Sequence, residues 1–224
     1  MPVDLSRMLR GRATVSLLAA LLALPTVACG ARAGSSGTVA PALEQSASAC
    51  SGEKTPPDRG PPPAIPAGRY FGPGSPQRQN LRERGMPGVP LTLSGRVYDE
   101  NCKPASRALL DFFQADSHGH YDRKEVRLHG HQYTGTHGGY LLRTIVPNHY
   151  LRRPPHIHVR VQAPYGPVLE TQLFFPARLR AYGMNVGALN AHDRSYRPAL
   201  TVHLGPRRAN GYAATFDFVI AVAH

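Results

Sequence analysis

Acidic side chains are scarce: 14 Asp and Glu stand against 26 Lys and Arg in 224 residues, a formal charge of +12. Such a balance raises nucleic acid or an anionic surface as a partner. The cations are scattered, with no long Lys/Arg block and no nucleic-acid-binding motif, so no nucleic-acid partner is expected. Long apolar runs are lacking too. The one candidate, Val15 to Cys29, is short and broken by Pro25, too little for a membrane span. With Arg7, Arg10 and Arg12 before it, the run suits the core of a secretory signal. No two of those arginines are adjacent, which removes the twin-arginine signature. Export is the expectation.

Cysteine is limited to three residues. The small residues of TVAC resemble a bacterial lipoprotein signal, in which residues 1–28 are removed and a lipidated Cys29 attaches the protein to a membrane. Cleavage after Ala33 would instead release a soluble protein. If Cys29 is lipidated, Cys50 and Cys102 remain as an even pair. An oxidising compartment allows them a disulfide, and the other reading is two free thiols.

No internal repeat and no clear amphipathic helix appear, while Gly and Pro number 22 each. Residues 29–66 are poor in large apolar side chains, and GEKTPPDRGPPPAIPAG reads as a tether of polyproline character. From 67 to 224 the composition changes to short strands between Gly/Pro turns. These are LTLSGRVYD (91–99), ALLDFFQAD (108–116), GGYLLRTIV (138–146), HIHVRVQAP (156–164), VLETQLFF (168–175) and ATFDFVIAV (214–222). The pattern predicts an all-β domain, an antiparallel β-sandwich with long loops. Residues 181–198 have no period and read as a loop with room for one helical turn.

Alternation along a strand gives HIHVRV two faces. Ile157, Val159 and Val161 point one way; His156, His158 and Arg160 point the other. Two histidines on one face suit a shared metal, but H-x-H alone has little weight in a chain with 11 histidines. His118/His120 and His129/His131 repeat the spacing, and the expectation for most of these is solvated loop. Tyr140, alternating with core residues in GGYLLRT, reads as packing.

Order along the chain adds the missing weight. GRVYDENCKPASRALLDFFQADSHGHYD, then GGYLLRTIVPNHYLRRPPHIHVRV, then LETQLFF resembles the intradiol ring-cleavage dioxygenases, non-haem iron(III) enzymes on a β-sandwich. The resemblance implies four metal ligands, Tyr121, Tyr150, His156 and His158. It places Arg153 as the active-site arginine and Gln172 beside the substrate. Departures lie at Phe113, Gln114, His129 and Gly135, none of them at a ligand position, and they leave the substrate open.

Phenolate oxygens stabilise hard iron(III), and neutral imidazoles complete such a site. The resemblance implies a catechol and O2 as substrates. Tyr150 would then leave the metal and accept a catechol proton, Arg153 would stabilise charge on the ring, and a cis,cis-muconate-type diacid would be the product. Two other classes compete: a secreted β-sandwich binding module without turnover, and a zinc or copper sandwich served by the extra histidine pairs.

Overall fold

The structure, a computed structural model, describes residues 50–58, 74–122 and 126–223. The signal segment 1–28, Cys29 and most of the 29–66 stretch lie outside the described residues. Among those described, nine strands run in chain order. They are β1 (Pro90–Tyr98), β2 (Leu109–Gln114), β3 (His129–Tyr133), β4 (Gly139–Ile145), β5 (His156–Gln162), β6 (Leu169–Phe174), β7 (His203–Leu204), β8 (Tyr212–Thr215) and β9 (Phe218–Val219). Between β6 and β7 lies helix α1 (Val186–His192), two turns where one was expected.

One sheet has the order β4-β1-β8-β7 with β9 also beside β1, and the other has the order β3-β2-β5-β6. Their facing sides hold Leu91, Leu93 and Leu142 from the first and Leu110, Phe112, Ile157, Val159 and Val161 from the second, all but removed from water. Each such side chain contributes roughly 1.5–3 kcal/mol by burial. Tyr140 lies in the same core, and its hydroxyl donates to the Phe216 carbonyl at 2.8 Å.

The expected closing strand, 214–222, is two strands, and both run parallel to β1. The break has a local cause at Gly95. The Phe216 carbonyl oxygen lies 1.8 Å from where a Cβ on that residue would stand, so only glycine admits it. Next to it, the Asp217 carboxylate replaces a ladder partner by accepting from the Arg96 N–H at 2.7 Å.

Two further expectations are corrected. HGHQY, expected among solvated loops, is β3 and pairs with β2 over five residues, with His129 buried. Residues 50–58 are docked, not free tether. Cys50 and Cys102 are disulfide-bonded, with 5.7 Å between their Cα atoms. Thr55 N–H donates to the Val219 carbonyl at 3.0 Å, and Asp58 N–H donates to the Glu170 carbonyl at 2.8 Å. The segment thereby crosses from β9 to β6, one sheet to the other. On the opposite side, residues 76–81 do the same. His131 N–H donates to the Pro76 carbonyl at 2.9 Å and Leu81 N–H to the Arg143 carbonyl at 2.8 Å.

Candidate active site

The outer face of the second sheet carries the chemistry. Register puts Phe113 and Gln172 on either side of His158, and Phe174 beside His156. Outward-facing residues usually meet water, but here His156 is 2% exposed, His158 7%, Gln172 2% and Phe113 4%. Loops roof them.

The loop delivering Tyr121 is shaped by Asp116, whose Oδ1 accepts from the backbone N–H groups of His118 (2.8 Å) and His120 (2.9 Å). Gly119, at φ +81°, lies where an added Cβ would meet the His149 carbonyl oxygen at 2.2 Å. Its bare backbone lets that turn seat directly against the loop carrying Tyr150. Asn148 completes the join, donating through its backbone N–H to the Asp116 carbonyl (3.0 Å) and through Nδ2 to the Ser117 carbonyl (2.9 Å). A turn from Tyr150 to Arg153, closed by the Arg153 N–H on the Tyr150 carbonyl at 2.9 Å, then leads into β5.

The sequence-predicted residues meet there. Tyr121 Oη lies 2.9 Å from Nε2 of His156 and 3.3 Å from Nε2 of His158. The Tyr150 ring stands edge-on to that of Tyr121, with centroids 5.2 Å apart. His156 Nδ1 lies 2.7 Å from the Pro154 carbonyl oxygen, which accepts only if Nδ1 carries the proton, so the Nε2 lone pair is left for the cluster. Arg153 spreads its guanidinium over three partners. Nε donates to Asp193 Oδ2 at 3.0 Å, Nη2 donates to Gln172 Oε1 at 2.8 Å, and Nη1 lies 3.5 Å from His156 Nε2.

Burial pushes the His156 pKa down to about 3; the Arg153 charge adds to this and the bond to Pro154 opposes it. His158 is pushed down as well, by burial, then by His156 and Arg153. Both imidazoles are therefore neutral at neutral pH, the form that ligates metal. Two imidazole nitrogens and a phenol oxygen converging on one point could hold a metal ion, and a phenolate there would favour a hard cation. Among the described residues no group of three or more His, Cys, Asp or Glu gathers as a metal site, so tyrosine is what could complete one.

The other histidine pairs lie elsewhere. His118 and His120 stack at 6.4 Å in the turn, with the His118 side chain 65% exposed. His131 Nδ1 lies 2.9 Å from the Ser75 carbonyl oxygen. His129 Nε2 is 3.2 Å from Asp111 Oδ1, though off the line a hydrogen bond requires. Sequence reasoning missed Asp193 and Asp58, whose carboxylate accepts from Gln172 Nε2. A signal existed for each: Asp193 is the only acid between Glu170 and Asp217, and Asp58 the only one between Glu53 and Glu83.

Comparison with known proteins decides the family. Residues 67–153 match the model of a family described as Dioxygenase. The protocatechuate 3,4-dioxygenase beta chain of Burkholderia cepacia is 32% identical over 117 residues, 44% of this chain and 50% of that one. The chain thus spans half the length of that curated relative. The dioxygenase domain of a dioxygenase–carbohydrate-binding fusion from Streptomyces sp. SirexAA-E is 44% identical. It aligns over 76% of this chain and all of its own, with a TM-score of 0.64. The chain belongs to the intradiol ring-cleavage dioxygenases. Another solved relative, the 3-chlorocatechol 1,2-dioxygenase of Rhodococcus opacus 1CP, superimposes with a TM-score of 0.60 at 25% identity, over 69% of this chain and 70% of that one. In this intradiol dioxygenase the matched residues 67–153 hold Tyr121, Tyr150 and Arg153, and both histidines follow on β5 just beyond.

Proposed function

We propose that this intradiol dioxygenase holds non-haem iron(III) through Tyr121, Tyr150, His156 and His158. It would use O2 to open a catechol between its two hydroxyl-bearing carbons, giving a cis,cis-muconate-type diacid. The observation that carries this reading is the approach of Tyr121 Oη to both Nε2 atoms, at 2.9 and 3.3 Å. Bound there, iron(III) supplies a Lewis acid that makes both catechol hydroxyls acidic and brings the ring within reach of oxygen. The protein does the rest. Tyr150, half-buried and edge-on to Tyr121, would be the ligand that yields its position and takes a catechol proton on its phenolate oxygen. Arg153 is always protonated, and its guanidinium, held by Asp193 and Gln172, faces the same cluster and stabilises negative charge developing on the ring. Phe113 and Phe174 keep water from the histidine side. Export through residues 1–28, with Cys29 lipidated, is part of the proposal and rests on the sequence alone.

The test is direct. Protein produced with ample iron should bind about one iron per chain and show a visible tyrosinate–iron(III) band that shifts when a catechol is added without oxygen. Oxygen uptake on catechol, protocatechuate and hydroxyquinol then ranks the substrates. A colourless protein with stoichiometric zinc, or a coloured one inert to all three, would reject the reading.

A further inference from the structure

The docked segment 50–58 ends at the active site, and its last described residue touches Gln172, one of the two residues that hold Arg153. We propose that Asp58 is a positioning residue for Arg153, acting through Gln172, and that the Cys50–Cys102 bridge delivers it. This rests on the ring-cleavage reading above.

A glutamine amide has a donating end and an accepting end. The Arg153 guanidinium only donates, and it takes Gln172 Oε1 at 2.8 Å. The Asp58 carboxylate only accepts, and it takes Gln172 Nε2. With a pure donor on one end and a pure acceptor on the other, the amide has one orientation that satisfies both partners. An N–H engaged by a carboxylate also strengthens the carbonyl at the far end as an acceptor. The row Asp58–Gln172–Arg153–Asp193 therefore clamps the guanidinium from two sides, with Nη1 aimed at His156.

The clamp depends on a segment with no strand of its own and little apolar surface. What fixes it is the disulfide at Cys50, the Thr55 bonds to Val219, and the bonds of Pro56 and Asp58 to β6. Thr55 Oγ1 accepts from Val219 N–H at 2.9 Å, and the Pro56 carbonyl accepts from Thr171 Oγ1 at 2.8 Å. Lys54 adds an ion pair to Glu100 at 2.5 Å, on the turn that holds Cys102. Cutting the disulfide frees the start of this run, and Asp58 loses its fixed address.

The experiment uses the full iron-loaded chain and four variants: Asp58→Ala, Asp58→Asn, the pair Cys50→Ser with Cys102→Ser, and that pair combined with Asp58→Ala. Steady-state turnover is measured, and so is the rate at which an arginine-directed dicarbonyl labels Arg153, read by peptide mapping. Asp58→Ala should lower kcat roughly tenfold, leave KM within about twofold, and speed Arg153 labelling. Asp58→Asn keeps an oxygen for Gln172 Nε2 and should restore both readouts to within about twofold of wild type. The cysteine pair should match Asp58→Ala, and the triple variant should add less than about twofold, because both changes act through one contact. Unchanged turnover and labelling in Asp58→Ala overturns the proposal. So does an Asn variant as impaired as Ala, or effects that multiply in the triple variant. A wild type inert to every catechol would sink the ring-cleavage reading instead, and the labelling comparison still decides the clamp.

Discussion

Two histidine pairs lie on one face of one sheet, His156/His158 on β5 and His129/His131 on β3, with β2 between them. Both have the H-x-H spacing, and both have at least one ring buried. Their fates differ because of what the loops bring. Over β5 come a tyrosine hydroxyl and a guanidinium, so the two Nε2 atoms share a partner at 2.9 and 3.3 Å. Over β3 comes the Ser75 backbone carbonyl, 2.9 Å from His131 Nδ1, while β2 itself sets the Asp111 carboxylate 3.2 Å from His129 Nε2, so the two rings share no partner there. Strand spacing puts imidazoles on a common face; only the third and fourth partners make a site.

The contrast is broken most severely at His158. His158→Ala should cost iron affinity more than the roughly 10–100-fold typical of losing an outer-shell partner, and should abolish turnover. His131→Ala should leave iron content and turnover within about twofold of wild type; iron analysis of the two side by side checks this. Comparable iron loss in both variants would mean that β3 takes part in the site.

Next comes Arg153, whose guanidinium reaches a histidine ring, whereas Arg78 on the β3 side donates to the His129 backbone carbonyl. Arg153→Lys keeps the charge but cannot span Asp193, Gln172 and His156 at once. Iron content should hold while kcat falls roughly ten- to a thousandfold, the scale of one lost transition-state charge partner. Steady-state kinetics with parallel iron analysis reads it.

His129→Leu sharpens the contrast from the other side. It leaves the Asp111 carboxylate buried with the Ser75 hydroxyl, which donates to it at 2.7 Å, and without its imidazole neighbour. Stability should fall by about 2 kcal/mol in denaturant titration, with the visible band unchanged. Smallest of all is Tyr140→Phe, which extends the comparison to tyrosine. It removes one hydroxyl from the core and should cost about 1 kcal/mol, leaving colour and turnover intact. Bleaching in that variant would displace Tyr121 and Tyr150 from the ligand set.

Much of this arrangement was legible in the residues. Alternation in HIHVRV separated the core face from the outer face of β5, because a period of two needs no tertiary information. The order of tyrosines, arginine and histidines pointed to the cluster that the loops assemble. β3 was illegible because HGHQY carries no apolar alternation; its strand character comes from pairing with β2. Residues 50–58 were illegible for a related reason. Pro-rich segments with little apolar surface usually stay free, and this one is held by bonds to β6 and β9 that do not show in its own composition. The break at Phe216 and Asp217 depends on Gly95, 121 positions earlier in the chain. Asp193 was a lone acid in a stretch without period, and only the turn after α1 gives it an address.

The two segments that cross between the sheets also shield outer strands of the sandwich. A sandwich has four outer strands, and each outer strand is a row of unpaired backbone groups inviting a foreign strand to add on. Residues 76–81 cap β3 and β4 by bonding His131 and Arg143. Residues 55–58 cover part of β6, Val202 N–H takes the Phe174 carbonyl at its end, and β7 is only two residues long. Cutting the chain at residue 66 would thus do more than shorten a leader. It would bare the flank of β6 and turn a shielded row of backbone groups into a template for edge-to-edge association that grows with protein concentration.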